Sequence, residues 1–279
     1  MNTFRPRSGC GRGCLPRPGS LPQVARPLRV LRLVALVAVL LGGVGVALAV
    51  PLLGTTGRAR ATRGWFRAVV RATGVRLAVD RALTAGGAGT LVTANHVSWL
   101  DIPVVLSQQP MRVLAKTDVR GWPVIGLLAA RGGSIFIDRE RLRRLPGTVA
   151  EIAAALRSGD SVLVFPEGST WCGRTHGRFY PATLQAAIDA GAAVRPVSLS
   201  YQLDDGTATT VAAFVGDDSL LASVWRIVGT RGLTVELTAA APVPAGGRQR
   251  RELATEVSSV VKVRPLGRTP APYDRSHAG

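Results

Sequence analysis

The hydrophobic pattern separates an apolar N-terminal stretch from a longer region in which short apolar runs alternate with helical periodicity. Residues 33–53, LVALVAVLLGGVGVALAVPLL, carry no charge. About 20 apolar residues in a helix cross a bilayer core, so this stretch is long enough, with Gly42-Gly43 and Pro51 expected to weaken or bend it. In residues 60–74, Arg63, Arg67 and Arg71 recur every four positions and share one helical face, while Trp65, Phe66, Val69 and Val70 gather elsewhere. Such a helix suits the headgroup level of a membrane, with packing against a core as the plainer alternative. From about residue 88, the runs TLVTA (90–94), RVLAK (112–116), SIFID (134–138), SVLVF (161–165), VRPVSLSY (194–201) and LTVELTAA (233–240) read as strands. Helical stretches fall near 100–108, 146–158, 182–190, 219–229 and 248–261. The alternation predicts an α/β fold, a mostly parallel sheet flanked by helices and preceded by an N-terminal membrane-associated helical segment. The expected division is a disordered basic tail over 1–30, a membrane-associated two-helix segment over 31–76, the α/β domain over 77–264 and a disordered tail over 265–279.

Charge sharpens the N-terminal reading. The formal net charge is +18, and thirteen arginines but no acidic residue precede Asp80. The basicity therefore belongs to the segment around the apolar stretch and points to an anionic membrane surface. Arginines flank that stretch on both sides, as expected of a re-entrant or interfacial element with both ends in the cytoplasm, with a simple single span as the alternative. Ala47–Ala49 imitates a signal-peptide cleavage site, but the long basic region before it and the amphipathic helix after it speak for retention. A nucleic-acid partner is not expected, because the strand loops lack interleaved aromatic and basic residues.

Three cysteines, an odd number, do not make a disulfide framework. Cys10 and Cys14 with Cys172 and His176 offer four zinc-ligand types, but the first pair falls in the tail expected to be disordered, so no metal is expected. Cys172 and His176 also suggest a thiolate nucleophile, although Gly173 and Arg174 between them read as loop.

Sites in parallel sheets collect in the loops beyond the carboxyl ends of the strands. Those loops hold NHVSWLD after the first strand, KTDVRGWP after the second, DRE after the third and FPEGST after the fourth. Pro103 must sit in the first turn of its helix, which puts Asp101 at the helix N-terminus and His96 in the loop just upstream. Asp101 then either caps the helix, in a capping box with Ser98, or holds one imidazole nitrogen so that the other takes a proton from a hydroxyl. No G-x-S-x-G elbow supplies a protein nucleophile, so such a base suits direct attack by a substrate hydroxyl on an activated acyl group. Arg139 ends the third strand, where a guanidinium grips phosphate or is merely solvated. Lys116 is one of only two lysines beside 33 arginines. Glu167 within FPEGST either marks a turn or binds substrate hydroxyls.

Asn95-His96-x4-Asp101, Gly133-x-Ile135-Phe136-Ile137-x-Arg139, Phe165-Pro166-Glu167-Gly168-Ser169 and Val194-Arg195-Pro196-Val197 follow one another in that order. They resemble the four motif blocks of the glycerolipid acyltransferase family, typified by 1-acylglycerol-3-phosphate acyltransferase. Ala115-Lys116 and WPVIG (122–126) are similar to that family too. The resemblance covers residues 88–201, with a two-helix membrane motif matching 33–74. It implies that His96 is a general base with Asp101 its partner, that Lys116 and Arg139 handle the acceptor phosphate, and that Glu167, Gly168 and Ser169 shape the acceptor site. The run Ser169-Thr170-Trp171 departs from the family's usual threonine and basic residue, which bears on the acceptor headgroup.

The expected activity is membrane-associated O-acyl transfer from acyl-CoA or an acyl-carrier protein to the free hydroxyl of a lysophospholipid, lysophosphatidate first. The acyl donor is a substrate, and no cofactor or metal is expected. The expected location is the cell membrane with the site facing the cytoplasm. Alternatives are another lysolipid acceptor, such as lyso-ornithine lipid, or a catalytically inactive membrane-anchored binding protein.

Overall fold

The computed structural model describes residues 6–17, 19–83 and 89–261; the expected disordered tail over 265–279 lies outside them. The elements are α1 (Arg26–Ala49), α2 (Thr55–Ala72), β1 (Arg76–Arg81), β2 (Thr90–Ala94), α3 (Asp101–Leu106), β3 (Arg112–Lys116), α4 (Ile125–Arg131), β4 (Ile135–Ile137), α5 (Leu145–Arg157), β5 (Val162–Val164), α6 (Leu184–Ala190), β6 (Ala193–Gln202), α7 (Leu220–Gly229), β7 (Thr234–Ala239), β8 (Val243–Pro244) and α8 (Arg250–Val260). All six strands read from the sequence form. The pattern gave no sign of β1, half of whose six residues are charged and most of whose length is exposed, of the two-residue β8, or of the short α4.

The strands lie in the order β1-β7-β6-β2-β5-β3-β4, with β8 beside β6. Neighbours run parallel except where β6 meets β7 and β8. The two central strands, β2 and β5, are buried along their whole length, which explains apolar runs without polar alternation. Their residues still alternate between two cores. Val92, Ala94 and Leu163 face the layer holding α2, α3 and α7, whereas Leu91, Val162 and Val164 face α5, α6 and α8. Because β2, β3, β4 and β5 are mutually parallel, their following loops share one edge of the sheet.

At the N-terminus, α1 and α2 form a helical hairpin. Within Arg26–Leu52 an 18-residue window has a mean hydropathy of 2.8 and little burial, so this helix is long and apolar enough to cross a membrane. Leu31, Val34, Leu41 and Leu52 are among its exposed side chains. The glycines do not break α1. A Cβ on Gly43 would lie 2.6 Å from the Trp65 indole, so the missing side chain lets α2 approach, and Trp65 Nε1 donates to the Val39 carbonyl at 2.8 Å. Trp65 thus packs on α1, and Val69 and Val70 are buried in the α/β domain. The apolar face of α2 serves packing, while the exposed apolar surface belongs to α1.

The first turns of α1 are tied to the α/β domain. Arg32 donates to the carbonyls of Val228 and Thr230 at the end of α7, and the Arg29 guanidinium stacks 4.6 Å over the Trp225 ring. These contacts suit cations at a helix C-terminus. Residues 6–17 and 19–25, expected within a disordered tail, run across the domain surface. Cys10, Cys14, Leu15 and Leu21 pack on the core, and Val24 N donates to Gly229 O. The composition suggested disorder because local propensity says nothing about a long-range surface that can hold such a segment.

Candidate active site

His96 and Asp101 meet where β2 leaves the sheet. Asn95 fixes that point: its side chain accepts from Leu199 N at 2.8 Å and donates to Leu199 O at 2.9 Å, pinning the end of β2 to β6. His96 Nδ1 lies 2.9 Å from Asp101 Oδ2. The same oxygen accepts from Val97 N at 2.7 Å and Ser98 N at 2.8 Å. Asp101 Oδ1 accepts from the Tyr201 hydroxyl at 2.6 Å. Asp101 has no solvent exposure, and every donor around it suits an acceptor-only carboxylate. Asp101 is the first residue of α3, behind Leu100 at the N-cap, and its carboxylate gathers the amides of the preceding loop and the imidazole at one point. With Nδ1 committed to the carboxylate, Nε2 is the nitrogen left for chemistry. The histidine side chain keeps 18% of its surface accessible, and its ring stacks on Phe165 at 3.9 Å between centroids.

The FPEG loop after β5 is built around the same histidine. Glu167 is 2% exposed; its Oε2 accepts from His96 N at 2.7 Å and its Oε1 from Gly177 N at 2.8 Å. Burial pushes its carboxyl up to about 7 against the lowering effect of those two amides, with a further rise from Asp101. Glu167 was expected either to mark a turn or to bind substrate hydroxyls. Both of its oxygens accept from backbone amides, and it braces the histidine loop against residues 176–177. The brace is doubled by Trp171 N, which donates to His96 O at 2.7 Å. Gly177 is required here because a Cβ would run into the Trp171 indole. Gly168 has φ +69, and a Cβ on it would also lie 2.7 Å from Pro6 of the N-terminal segment.

Arg139 Nη1 donates to Gly168 O, so the guanidinium tied by sequence to phosphate also supports the FPEG loop. Lys116 stands at the exposed end of β3, in register with Ile137, two residues before Arg139. Along the edge, the loops of His96, Phe165, Lys116 and Arg139 follow the strand order β2-β5-β3-β4. Ser169 is half-buried directly after Gly168. Tyr201 was not anticipated. It lies 100 positions from Asp101 inside a strand that reads as ordinary core, and no local signal distinguishes it. Its burial, then the Asp101 charge, raise its hydroxyl well above the usual range, so it remains a donor.

Cys172 is no thiolate nucleophile: burial, the largest influence, pushes its thiol up to about 11, and His176 Nδ1 sits against Gly177 O at 3.2 Å. A cleft of about 1240 Å³ bordered by Gly177 and lined by Arg81, Arg178, Ser198 and Glu236 includes neither His96 nor Asp101 and is not the seat of this pair.

A histidine in contact with a buried carboxylate thus stands just beyond the carboxyl ends of the parallel strands, beside the FPEG loop. The family model described as acyltransferase matches residues 64–200. A lyso-ornithine lipid O-acyltransferase from Pseudomonas aeruginosa is 37% identical over 90% of this chain and 97% of its own length. A 1-acyl-sn-glycerol-3-phosphate acyltransferase from Neisseria meningitidis is 36% identical over 64% of this chain and 70% of its own. The crystal structure of the 1-acyl-sn-glycerophosphate acyltransferase PlsC from Thermotoga maritima shares the fold, with TM-score 0.65 and 20% identity, covering 84% of this chain and 92% of that one. The chain belongs to the acyltransferase family. It is an enzyme of lipid biosynthesis that moves acyl groups.

Proposed function

We propose that the protein transfers an acyl chain from an acyl thioester to the free hydroxyl of a lysolipid, with His96 as general base. The observation that carries this is the 2.9 Å contact of His96 Nδ1 with a fully buried Asp101. As the lysolipid oxygen attacks the thioester carbonyl, Nε2 takes its proton, and Asp101 stabilises the imidazolium that forms. Collapse of the tetrahedral intermediate expels the thiolate of coenzyme A or of an acyl-carrier protein, which recovers the proton. Residues 165–177 and Tyr201 position the pair and touch no reacting atom.

The acceptor is lysophosphatidate, supported by Lys116 at the exposed end of β3 and by the similarity to the Neisseria enzyme. Lyso-ornithine lipid is the second reading, favoured by the Pseudomonas relative, whose match runs nearly end to end. The exposed apolar surface of α1 gives membrane attachment. Both ends of the α1–α2 hairpin return to the α/β domain, which supports a re-entrant insertion with the site on the cytoplasmic side, where arginine-rich flanks are retained.

The test is acyl transfer by the full-length protein in detergent, with acyl-CoA and acyl-carrier protein as donors and each lysolipid as acceptor. Transfer to lysophosphatidate, abolished by His96→Ala and given a raised KM by Lys116→Ala, supports the first reading. Transfer to lyso-ornithine lipid alone keeps the base and selects the second. Undiminished transfer by His96→Ala sinks the mechanism.

A further inference from the structure

All three cysteines of the chain meet at one point. The Sγ atoms of Cys10, Cys14 and Cys172 lie within 4.8 Å of one another, although Cys172 is separated from the other two by more than 150 residues. None is in a disulfide. We propose that these three cysteines bind Zn²⁺ as thiolates and that the metal clips the N-terminal segment onto the loop after β5. The expectation of no metal rested on disorder of the N-terminal pair, and that segment is packed.

Three thiolates at about 2.3 Å from a tetrahedral zinc stand about 3.8 Å apart. Small side-chain rotations within the observed cluster reach that spacing. The backbone around the sulfurs resembles that of ligands in place. Cys10 and Cys14 bracket a tight turn, Arg12–Cys14, closed by Cys14 N donating to Gly11 O at 2.9 Å. Cys172 N donates to Cys10 Sγ at 3.3 Å, a link between the two segments at the sulfur itself. Gly173, at φ +83, turns the chain so that the Arg174 amide returns to the Cys172 sulfur. Amide donors on the sulfurs are the outer-shell support that metal thiolates use. A zinc with three thiolates carries a net negative charge, and Arg12 and Arg174 flank the ligands in sequence. The fourth tetrahedral position falls to water.

The site also answers a physical need. Residues 6–17 are rich in proline, glycine and arginine and contribute few apolar side chains of their own, so hydrophobic burial alone holds them weakly. Yet Pro6 lies against Gly168, and the Gly11 backbone lies against Gly216. A metal would fix this strap over the FPEG loop, and metal binding free energy becomes folding free energy for the segment it orders. The metal acts on the strap and the loop, apart from the reacting atoms. The inference stands on the cluster alone and does not depend on the acceptor or donor assigned above.

The test uses full-length protein purified in detergent under reducing conditions without chelator. Metal analysis is expected to find close to one zinc per chain. Co²⁺ in place of Zn²⁺ is expected to give thiolate-to-metal charge-transfer absorption with the intense d–d bands of tetrahedral cobalt. Cys14→Ser, at a half-buried position outside the catalytic site, should lose both signals and the zinc-dependent rise in Tm, while Cys14→His restores them. Removing zinc should open the strap to trypsin at Arg12 and Arg17 and leave the α/β domain intact. Protein that holds less than a tenth of an equivalent of zinc and gives no charge-transfer band with Co²⁺ overturns the proposal. So does a disulfide between any two of the three cysteines under these conditions, or zinc retained in full by Cys14→Ser.

Discussion

The Tyr201 hydroxyl donates to Asp101 Oδ1 at 2.6 Å, linking the carboxyl-terminal end of β6 to the first residue of α3. The bond satisfies the one carboxylate oxygen that the histidine loop does not use. Tyr201→Phe leaves that oxygen buried with a donor missing, at a cost of about 1–3 kcal/mol in stability. The carboxylate is then held less firmly against the imidazole, and kcat should fall roughly 10-fold with the acceptor KM unchanged. A purely structural tyrosine would lower Tm and leave kcat in place.

The dyad itself gives the largest effects. His96→Ala should reduce kcat by about 10³-fold or more, because the hydroxyl nucleophile loses its base. Asp101→Asn should cost a similar factor, since an amide whose carbonyl keeps the Val97 and Ser98 amides turns its NH₂ toward the Tyr201 hydroxyl and, being neutral, no longer stabilises an imidazolium. Steady-state kinetics with saturating acceptor separates these losses from binding. A kcat for His96→Ala within threefold of wild type would refute the assignment.

Glu167 makes stability depend on pH. Its carboxyl titrates near 4.5 when unfolded and at about 7 when folded. The folded protein therefore holds an extra proton between those values, and stability is expected to fall as pH rises from about 4.5 to about 7. The full effect is on the order of 3 kcal/mol. Glu167→Gln removes this contribution but presents an amide NH₂ to one of the two backbone amides. Denaturant unfolding across pH 5–7.5 should show a flatter dependence in the variant, together with a lower stability at pH 5.

Gly43 tests the helical hairpin. Gly43→Val places side-chain atoms where the Trp65 indole lies, and the ring has no room to yield without losing its bond to Val39 O. Separation of α1 from α2 should lower Tm by several degrees and reduce activity on vesicle-borne acceptor. Gly42→Ala, next to it and with open space around the added methyl, should be neutral or slightly stabilising through helix propensity.

Much of this protein is written locally. The strands β2 and β5 follow from apolar runs bounded by turn residues, and their burial on both faces explains why those runs do not alternate. The positions of His96 and Asp101 follow from Pro103, which limits where α3 can begin. The loops bearing Lys116, Arg139 and Glu167 follow from the parallel order alone. These are properties of short windows, where periodicity and backbone geometry dominate.

Other features required the chain to fold back on itself. Glu167 reads as a turn residue or a substrate ligand, and only the approach of His96 N and Gly177 N turns it into a buried brace. Trp65 reads as a membrane-facing ring until Gly43 gives it a seat on α1. Tyr201 is one aromatic among strand residues until it meets a carboxylate 100 positions away. The N-terminal segment reads as a basic coil, because its own residues cannot bury enough surface to order it. The partners that hold it, Gly168, Gly229 and Cys172, arrive only once the sheet has formed. Sequence fixes what a residue can donate, accept or bury within its own turn of chain; tertiary structure decides which distant group it meets, and that meeting sets the work of the side chain.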